Sequence, residues 1–321
     1  MTLRQAQGTV RQAQGTDVVT LGEAMVSLRS AGPLAIRGTL TARVAGAESN
    51  VAIGLSRLGH TTRWVSRVGD DEYGRALLKE LRGEGVDVSG VTVDPTRPTG
   101  LMVAAERTAD VTSVAYYRAG SAASALGPDD AARLGQARIL HVTGITTALS
   151  PSAAEAVRAG VGHASYDLVS LDVNHRTRLI SADDLAALLR PLLPNVGLVI
   201  GSPEELRILA DGGAVELAER GLEVVEKRGA DGAAAWATVD GHTRMADVPA
   251  MAVTVVDTIG AGDAFMAGYL SGVLDGADLE QRLLRGTAVA AYCVSSRGDY
   301  EGLPTRAELD RLRLTPGTTL R

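Results

Sequence analysis

Short β-branched runs alternate with longer amphipathic stretches along most of the chain, and this alternation narrows the fold more than any other feature. DVVTL precedes AESNVAIGLSRLG, RWVSRVG precedes DEYGRALLKELRGEG, RILHVTG precedes SPSAAEAVRAG, and DLVSLDVN precedes DDLAALLRPLL. GLVIG, SPEELRILA, EVVEKRG and AAAWATV continue the series. Strand-sized and helix-sized segments in turn predict βαβ units around a mostly parallel sheet, an α/β fold with ligand groups at the strands' carboxyl ends. Two stretches, Ser27 to Val44 and Val91 to Arg118, read as strand and turn with no helix to cover them. Segments 27–44 and 91–118 are therefore expected to pair as a small β lid that closes on substrate and excludes water. An extended edge of the main sheet is the alternative. Segments 17–26, 45–90 and 119–321 then make the core.

At 321 residues there is ample chain for a large buried core. Lys plus Arg number 32 against 38 Asp plus Glu, a net charge of −6, which disfavours general attraction to nucleic acid or anionic membrane. No apolar stretch approaches the roughly 18 residues of a membrane span, and the start of the chain lacks a signal peptide's charged-then-apolar order, so a cytoplasmic protein is expected. The single Cys293 sits in an apolar helical pattern, VAAYCV, which reads as a buried structural thiol in a reducing compartment. With one Phe, two Trp and seven Tyr, the core must come from Ala, Val, Leu and Ile, and the Tyr116-Tyr117 pair stands out. RQAQGT occurs at 4–9 and again at 11–16 with little to bury, so residues 1–16 read as a mobile tail.

Chemistry concentrates in VTVVDTIGAGDAFMAGYL, residues 253–270, which reads as a strand, a tight glycine turn and a helix start. Glycines let the backbone take positive φ and approach a ligand, while the free N–H groups of a helix's first turn attract anions. A phosphate seated on Gly260-Ala261-Gly262 would lie beside the Asp263 carboxylate, poised to take a proton from an attacking hydroxyl. On this turn alone, Asp263 can equally be a carboxylate that complements the helix dipole. A dinucleotide turn wants a small third residue where this chain has Phe265, and a P-loop needs a Gly-Lys pair that is absent from the sequence.

DTIGAGDAF closely resembles the signature of the ribokinase-like (PfkB) carbohydrate kinases, and the likeness runs from about Asp17 to the end of the chain. The resemblance implies a three-layer αβα core with a small β-sheet lid, a charge-neutralising role for Gly260, Ala261 and Gly262, and Asp263 as catalytic base. AGAESNVAIGLSRLG, YYRAGSAAS, DVNHR, KRGADG and RGDYEGLP are similar to the branch that phosphorylates 2-keto-3-deoxygluconate. That likeness implies Gly46 and Asn50 at the substrate, Tyr117 and Arg118 reaching from the lid, Arg176 near the keto acid and the transferred phosphate, and Asp299 on a sugar hydroxyl. It places Asn174, Ser202, Lys227, Gly229 and Gly232 around ATP. Two arginines in an acidic chain fit an anionic ligand, because a guanidinium is a planar fork of donors matched to a carboxylate.

Two departures from the family pattern bear on the site. Where the family carries N-x-x-E, this chain reads Ser202-Pro203-Glu204-Glu205; Glu205 keeps the spacing of a residue that positions Mg²⁺ and its waters, yet Ser-Pro-x-Glu is also a strong capping box. Relatives acting on neutral sugars often carry an Asp soon after the first strand, and LGEAMVSLRS has none. The combined expectation is ATP-dependent phosphorylation of the 6-hydroxyl of 2-keto-3-deoxygluconate with Mg²⁺, a monovalent cation being admissible. A neutral-sugar kinase such as a fructokinase, a non-catalytic nucleotide sensor and a nicotinamide-dependent oxidoreductase are the rivals. A lid with exposed edges also predicts pairing of two copies, a dimer.

Overall fold

The computed structural model describes residues 15–108, 111–163, 165–239 and 242–313. Of the tail expected at 1–16, all but Gly15 and Thr16 lies outside the described residues. In chain order the strands are β1 (Thr16–Leu21), β2 (Met25–Ser30), β3 (Thr41–Ala45), β4 (Thr62–Val65), β5 (Arg67–Gly69), β6 (Thr92–Asp94), β7 (Leu101–Thr108) and β8 (Val111–Tyr117). They continue with β9 (Ala137–Thr143), β10 (Leu168–Asp172), β11 (Leu198–Gly201), β12 (Glu223–Lys227), β13 (Ala233–Val239) and β14 (His242–Val248).

The large sheet has the order β14-β13-β12-β11-β10-β9-β1-β4. Strands β4 to β12 in that order run parallel, and β13 and β14 close one edge antiparallel. Alternate residues of the central strands serve two different cores. Val19, Leu21, Leu140, Val142, Val199 and Val224 join one cluster, whereas Val18, Ile139, Leu198, Ile200 and Val225 join another. The first cluster is completed by Val157, Leu185 and Leu206 from the helices Pro151–Val161, Ala182–Leu189 and Pro203–Leu209. Helices Ala47–Arg57 and Ala261–Leu274 complete the second with Val51, Met266 and Leu270. A strand buried on both faces needs a helix layer on each, which gives the three layers.

The smaller sheet is separate and has the order β3-β2-β7-β8. It starts at Met25 and takes in Ala45, slightly outside the expected bounds. Residues 92–94 do not belong to it: β6 pairs in parallel with β5, and Arg67 and Thr92 of that ribbon both donate to the buried Asp130, at 2.7 and 2.8 Å. Met25, Ala45, Met102 and Ala104 pack together within the small sheet. Arg29 extends from β2 to the core carboxylates Asp257 and Asp299, at 2.8 and 2.5 Å, and Arg43 of β3 pairs with Glu301.

The run 253–257 differs from the reading as a strand. It joins no sheet, Val255 and Val256 are exposed, and the N–H groups of Val256 and Asp257 both donate to Val294 O at a helix end. With β14 already forming the edge, this segment leads into the cleft as coil with a bend at Val256. Cys293 is buried, its thiol pushed up to about 12 chiefly by burial, as a structural cysteine requires. Among the described residues no helix is long and apolar enough to cross a membrane.

Candidate active site

The glycine turn is shaped by a close backbone contact. Gly260 has φ 77°, and a Cβ there would stand 2.2 Å from Asp299 O, so both conformation and space demand glycine. Beyond it the helix Ala261–Leu274 runs for 14 residues, and its first amides have no intrahelical acceptor. Ala261 N–H makes only a long contact of 3.4 Å to Thr258 O. Asp257 braces the approach, accepting from Ile259 N–H at 3.1 Å. At the third helical position, Asp263 Oδ2 accepts from Asn50 Nδ2 at 2.9 Å, a bond that spans two helices and fixes the carboxylate's direction. Burial pushes the Asp263 carboxyl up to about 6; the Asn50 bond opposes this, nearby Asp172 adds to it, and Lys227 and Arg176 oppose it.

Cations gather opposite the turn, at the carboxyl ends of β10 and β12. Lys227 Nζ donates to the buried Asp172 at 2.6 Å and lies 3.4 Å from where a Cβ on Gly262 would stand. Asn174, the one described non-glycine residue with positive φ (41°), is buried and turns the chain so that Arg176 emerges over the cleft. Arg176 and Arg178 line that cleft with no carboxylate partner among the described residues; they donate to His175 O and Val114 O, at 3.3 and 3.4 Å. Glu205 caps its own helix, accepting from Ser202 N–H at 2.8 Å, and also accepts from His175 N–H at 2.8 Å.

The cleft, about 890 Å³, continues from these cations to the small sheet. There Arg118 Nη2 pairs with Glu23 at 2.5 Å, and Glu23 also accepts from Ser121 Oγ at 2.7 Å. Burial raises the Glu23 carboxyl while the Arg118 guanidinium lowers it. Arg118 Nε and Asn50 Oδ1 are buried with no hydrogen-bond partner among the described residues, so this end holds polar atoms that a ligand could satisfy. Gly46 lies beneath them, a Cβ there meeting Glu23 O at 2.5 Å.

The pfkB family carbohydrate kinase model matches residues 15–306. The chain belongs to the pfkB family of carbohydrate kinases. Over 326 residues it is 36% identical to the 2-dehydro-3-deoxygluconokinase of Thermoproteus tenax, covering 96% of this chain and 98% of that protein. It is 37% identical over 314 residues to the 2-dehydro-3-deoxygluconokinase of Bacillus subtilis (strain 168), covering 91% and 94%. A crystal structure of an uncharacterized sugar kinase from Pyrococcus horikoshii in complex with ATP superposes with a TM-score of 0.77 at 26% identity, covering 92% of this chain and 97% of that one. Like the rest of the pfkB kinases, this chain is a phosphotransferase.

Within this pfkB cleft the structure brings together Gly46, Asn50, Arg118, Asn174, Arg176, Glu205, Lys227, Gly260, Ala261, Gly262, Asp263 and Asp299. Tyr117 is absent from that lining. On a strand, residues two apart share a face, so Tyr116 and Arg118 line the cleft while Tyr117, 65% exposed, points away. Asp299 reaches the cleft, but its Oδ1 is already taken by Arg29, and burial pushes its carboxyl up to about 7 against that guanidinium. Gly229 and Gly232, with φ 59° and 88°, form the reversal that leads β12 into antiparallel β13, and Ser202 caps a helix; none of the three lines the cleft.

Four groups escaped the sequence reading. Glu23 follows β1 directly, where a parallel sheet puts its ligand groups, and that position was its only signal. Glu48 is fully buried two residues before Asn50, accepts from Thr143 and Thr146 hydroxyls at 2.6 and 2.5 Å, and is pushed by burial up to about 7. Asp172 and Arg29 reveal their roles only through partners distant in sequence. Among the described residues no three His, Cys, Asp or Glu side chains form a metal cage. Mg²⁺ in such enzymes commonly rests on nucleotide phosphates, waters and one or two carboxylates. Glu205 lines the cleft with both oxygens already accepting N–H groups, which leaves one further acceptor site on each for such an ion's waters.

Proposed function

We propose that this pfkB kinase transfers the terminal phosphoryl group of ATP to the 6-hydroxyl of 2-keto-3-deoxygluconate. One observation carries the phosphoryl-transfer step: a carboxylate directed by Asn50 stands beside a left-handed glycine turn at a helix start. Asp263 takes the proton of the attacking hydroxyl, and its raised pKa, about 6, keeps it ionised yet basic near neutrality. Phosphate oxygens receive the turn's N–H groups, with Lys227 and Arg176 supplying side-chain charge. Mg²⁺, held on the phosphates with Glu205 at its waters, neutralises charge that develops during transfer. The small sheet covers the sugar and keeps water from the phosphate.

An acid sugar is favoured by the surplus of cations. Arg176 and Arg178 have no carboxylate partner among the described residues, and Arg118 retains a buried, unpaired Nε. The kinship with 2-dehydro-3-deoxygluconokinases supports the same choice. An ADP-release assay over 2-keto-3-deoxygluconate, its galactonate-derived epimer, fructose and ribose tests it. The keto acids should give the highest kcat/KM; a preference for fructose or ribose would refute the substrate class, and ATP binding without ADP release on any sugar would refute turnover.

A further inference from the structure

Two buried or half-buried carboxylates hold the loop after β10 by its backbone. Asp172 Oδ1 accepts from Asn174 N–H at 3.1 Å, and Glu205 accepts from His175 N–H at 2.8 Å. Consecutive amides are thus tied down immediately before Arg176, at the residue whose positive φ turns the chain into the cleft. The other oxygen of Asp172 accepts from Lys227 Nζ, which comes from β12, two strands away in the sheet. Asp172 is 2% exposed, whereas the Lys227 side chain retains 19%, so the ammonium has the open side and the carboxylate lies behind it. Lys79 and Lys227 are the chain's two lysines, and arginines supply its other permanent cations. At position 227 the molecule uses a compact point charge, close enough to the glycine turn that a Cβ on Gly262 would stand 3.4 Å from it.

We infer that Asp172 is a positioning residue, which aims the Lys227 ammonium at the glycine turn and fixes the bend that presents Arg176, so that two cations converge on the phosphates of the nucleotide. The inference rests on the phosphoryl-transfer reading for its kinetics, though not for its binding test. Without Asp172 the lysine could turn to Glu205 or Asp263, whose charges it also feels. Pairing with Asp172 draws it back from both and leaves Asp263 free for the substrate. The charged or titratable groups around Asp172 are His141 on β9, Lys227 on β12, Asp263 on the helix Ala261–Leu274, Glu205 on the helix Pro203–Leu209 and Arg176 on its own loop.

Asp172→Asn removes the charge and keeps an oxygen for Asn174 N–H. Turnover should fall about 10- to 100-fold, the worth of a charged hydrogen bond, with the KM for sugar within about twofold. Because the Asp172 charge helps to raise Asp263, the acid limb of kcat/KM should move to lower pH in this variant. Lys227→Met should lose as much, and the double variant no more than the worse single one. Additive losses, an unmoved limb, or kcat and both KM values changing together with a lowered melting temperature would overturn the inference. Calorimetric titration with ATP alone, without sugar, provides the separate test: both single variants should bind ATP about tenfold or more weakly than the wild type. Unchanged ATP affinity in Lys227→Met, which changes only the more exposed partner, overturns it even if Asp172→Asn fails to fold. Absence of ADP release by the wild type on every sugar would instead sink the phosphoryl-transfer reading and leave the titration decisive.

Discussion

At the proposed phosphate end of the cleft, the facing groups are backbone amides of a glycine turn and side chains on β12, on the loop after β10 and on a 14-residue helix. At the sugar end, they are side chains from the small sheet and from the loop after β1, held by ion pairs such as Arg118–Glu23. The first set is placed by local geometry that a few consecutive residues determine. The second depends on which distant partner each side chain finds. Chemistry that every relative must perform can be carried by the first kind of structure, and choice of sugar by the second.

Loss of the proposed base is the sharpest way to test that division. Asp263→Asn keeps the Asn50 contact's shape, since an amide oxygen can still accept from Nδ2, so the fold should survive. Turnover should drop by about 10²- to 10⁴-fold, with sugar affinity little changed. Steady-state ADP release together with direct sugar binding would check it. A variant that keeps its kcat would show that the hydroxyl proton leaves by another route.

The sugar end should respond in the opposite parameter. Arg118→Ala removes a guanidinium whose Nε is unpaired and leaves Glu23 buried without its ion pair. The KM for a keto acid should rise about 10- to 100-fold, that for ATP by no more than about twofold, as expected for one charge-assisted contact. Equal rises in both would mean that the two ends of the cleft are not separable.

Much of this contrast was readable in the sequence, and the boundary falls along the same line. DTIGAGDAF declares its turn because only glycine fits φ 77° against the Asp299 carbonyl, and the alternating apolar strands declare two buried sheet faces. The pairing of Asp172 with Lys227 spans 55 residues and that of Arg29 with Asp299 spans 270, so no local pattern could announce either. VTVVD misled because its β-branched run is set by propensity, while strand identity needs a free sheet edge to pair with, and β14 holds that edge. Glu205 shows the middle case: its capping box was legible, but its second bond, to His175 N–H, was not.

Acidity gives a smaller and graded test. Asp263 has its folded pKa raised from 3.8 to about 6, chiefly by burial, and it must be ionised to accept a proton. Catalysis should therefore be nearly full above about pH 7, fall to about half at pH 6 and reach roughly a tenth at pH 5 for a single titrating group. A kcat/KM profile from pH 4.5 to 8 on a saturating-ATP background measures the limb. If it lay near 4, the carboxylate would be too well solvated to be the one described, and the phosphate end would owe its rate to charge alone.

The smallest effects should come from the adjacent tyrosines, and they bear on the sugar end alone. Strand alternation puts Tyr116 on the cleft side with Arg118, whose Cζ lies 5.8 Å from the centre of its ring, while Tyr117 faces outward. A cation held over an exposed ring is worth about 0.5–1 kcal/mol, a factor of roughly 2 to 5. Tyr116→Ala should raise the KM for a keto acid by that factor with kcat and the KM for ATP unchanged, and Tyr117→Ala should leave all three where they were. The reverse pattern, with Tyr117 sensitive and Tyr116 silent, would require β8 to present its other face to the sugar. A one-residue shift in the pairing of β8 with β7 would do that, and it would carry Arg118 out of the cleft as well. The two alanine variants thus report on the register of the small sheet, and through it on whether Arg118 meets the substrate at all.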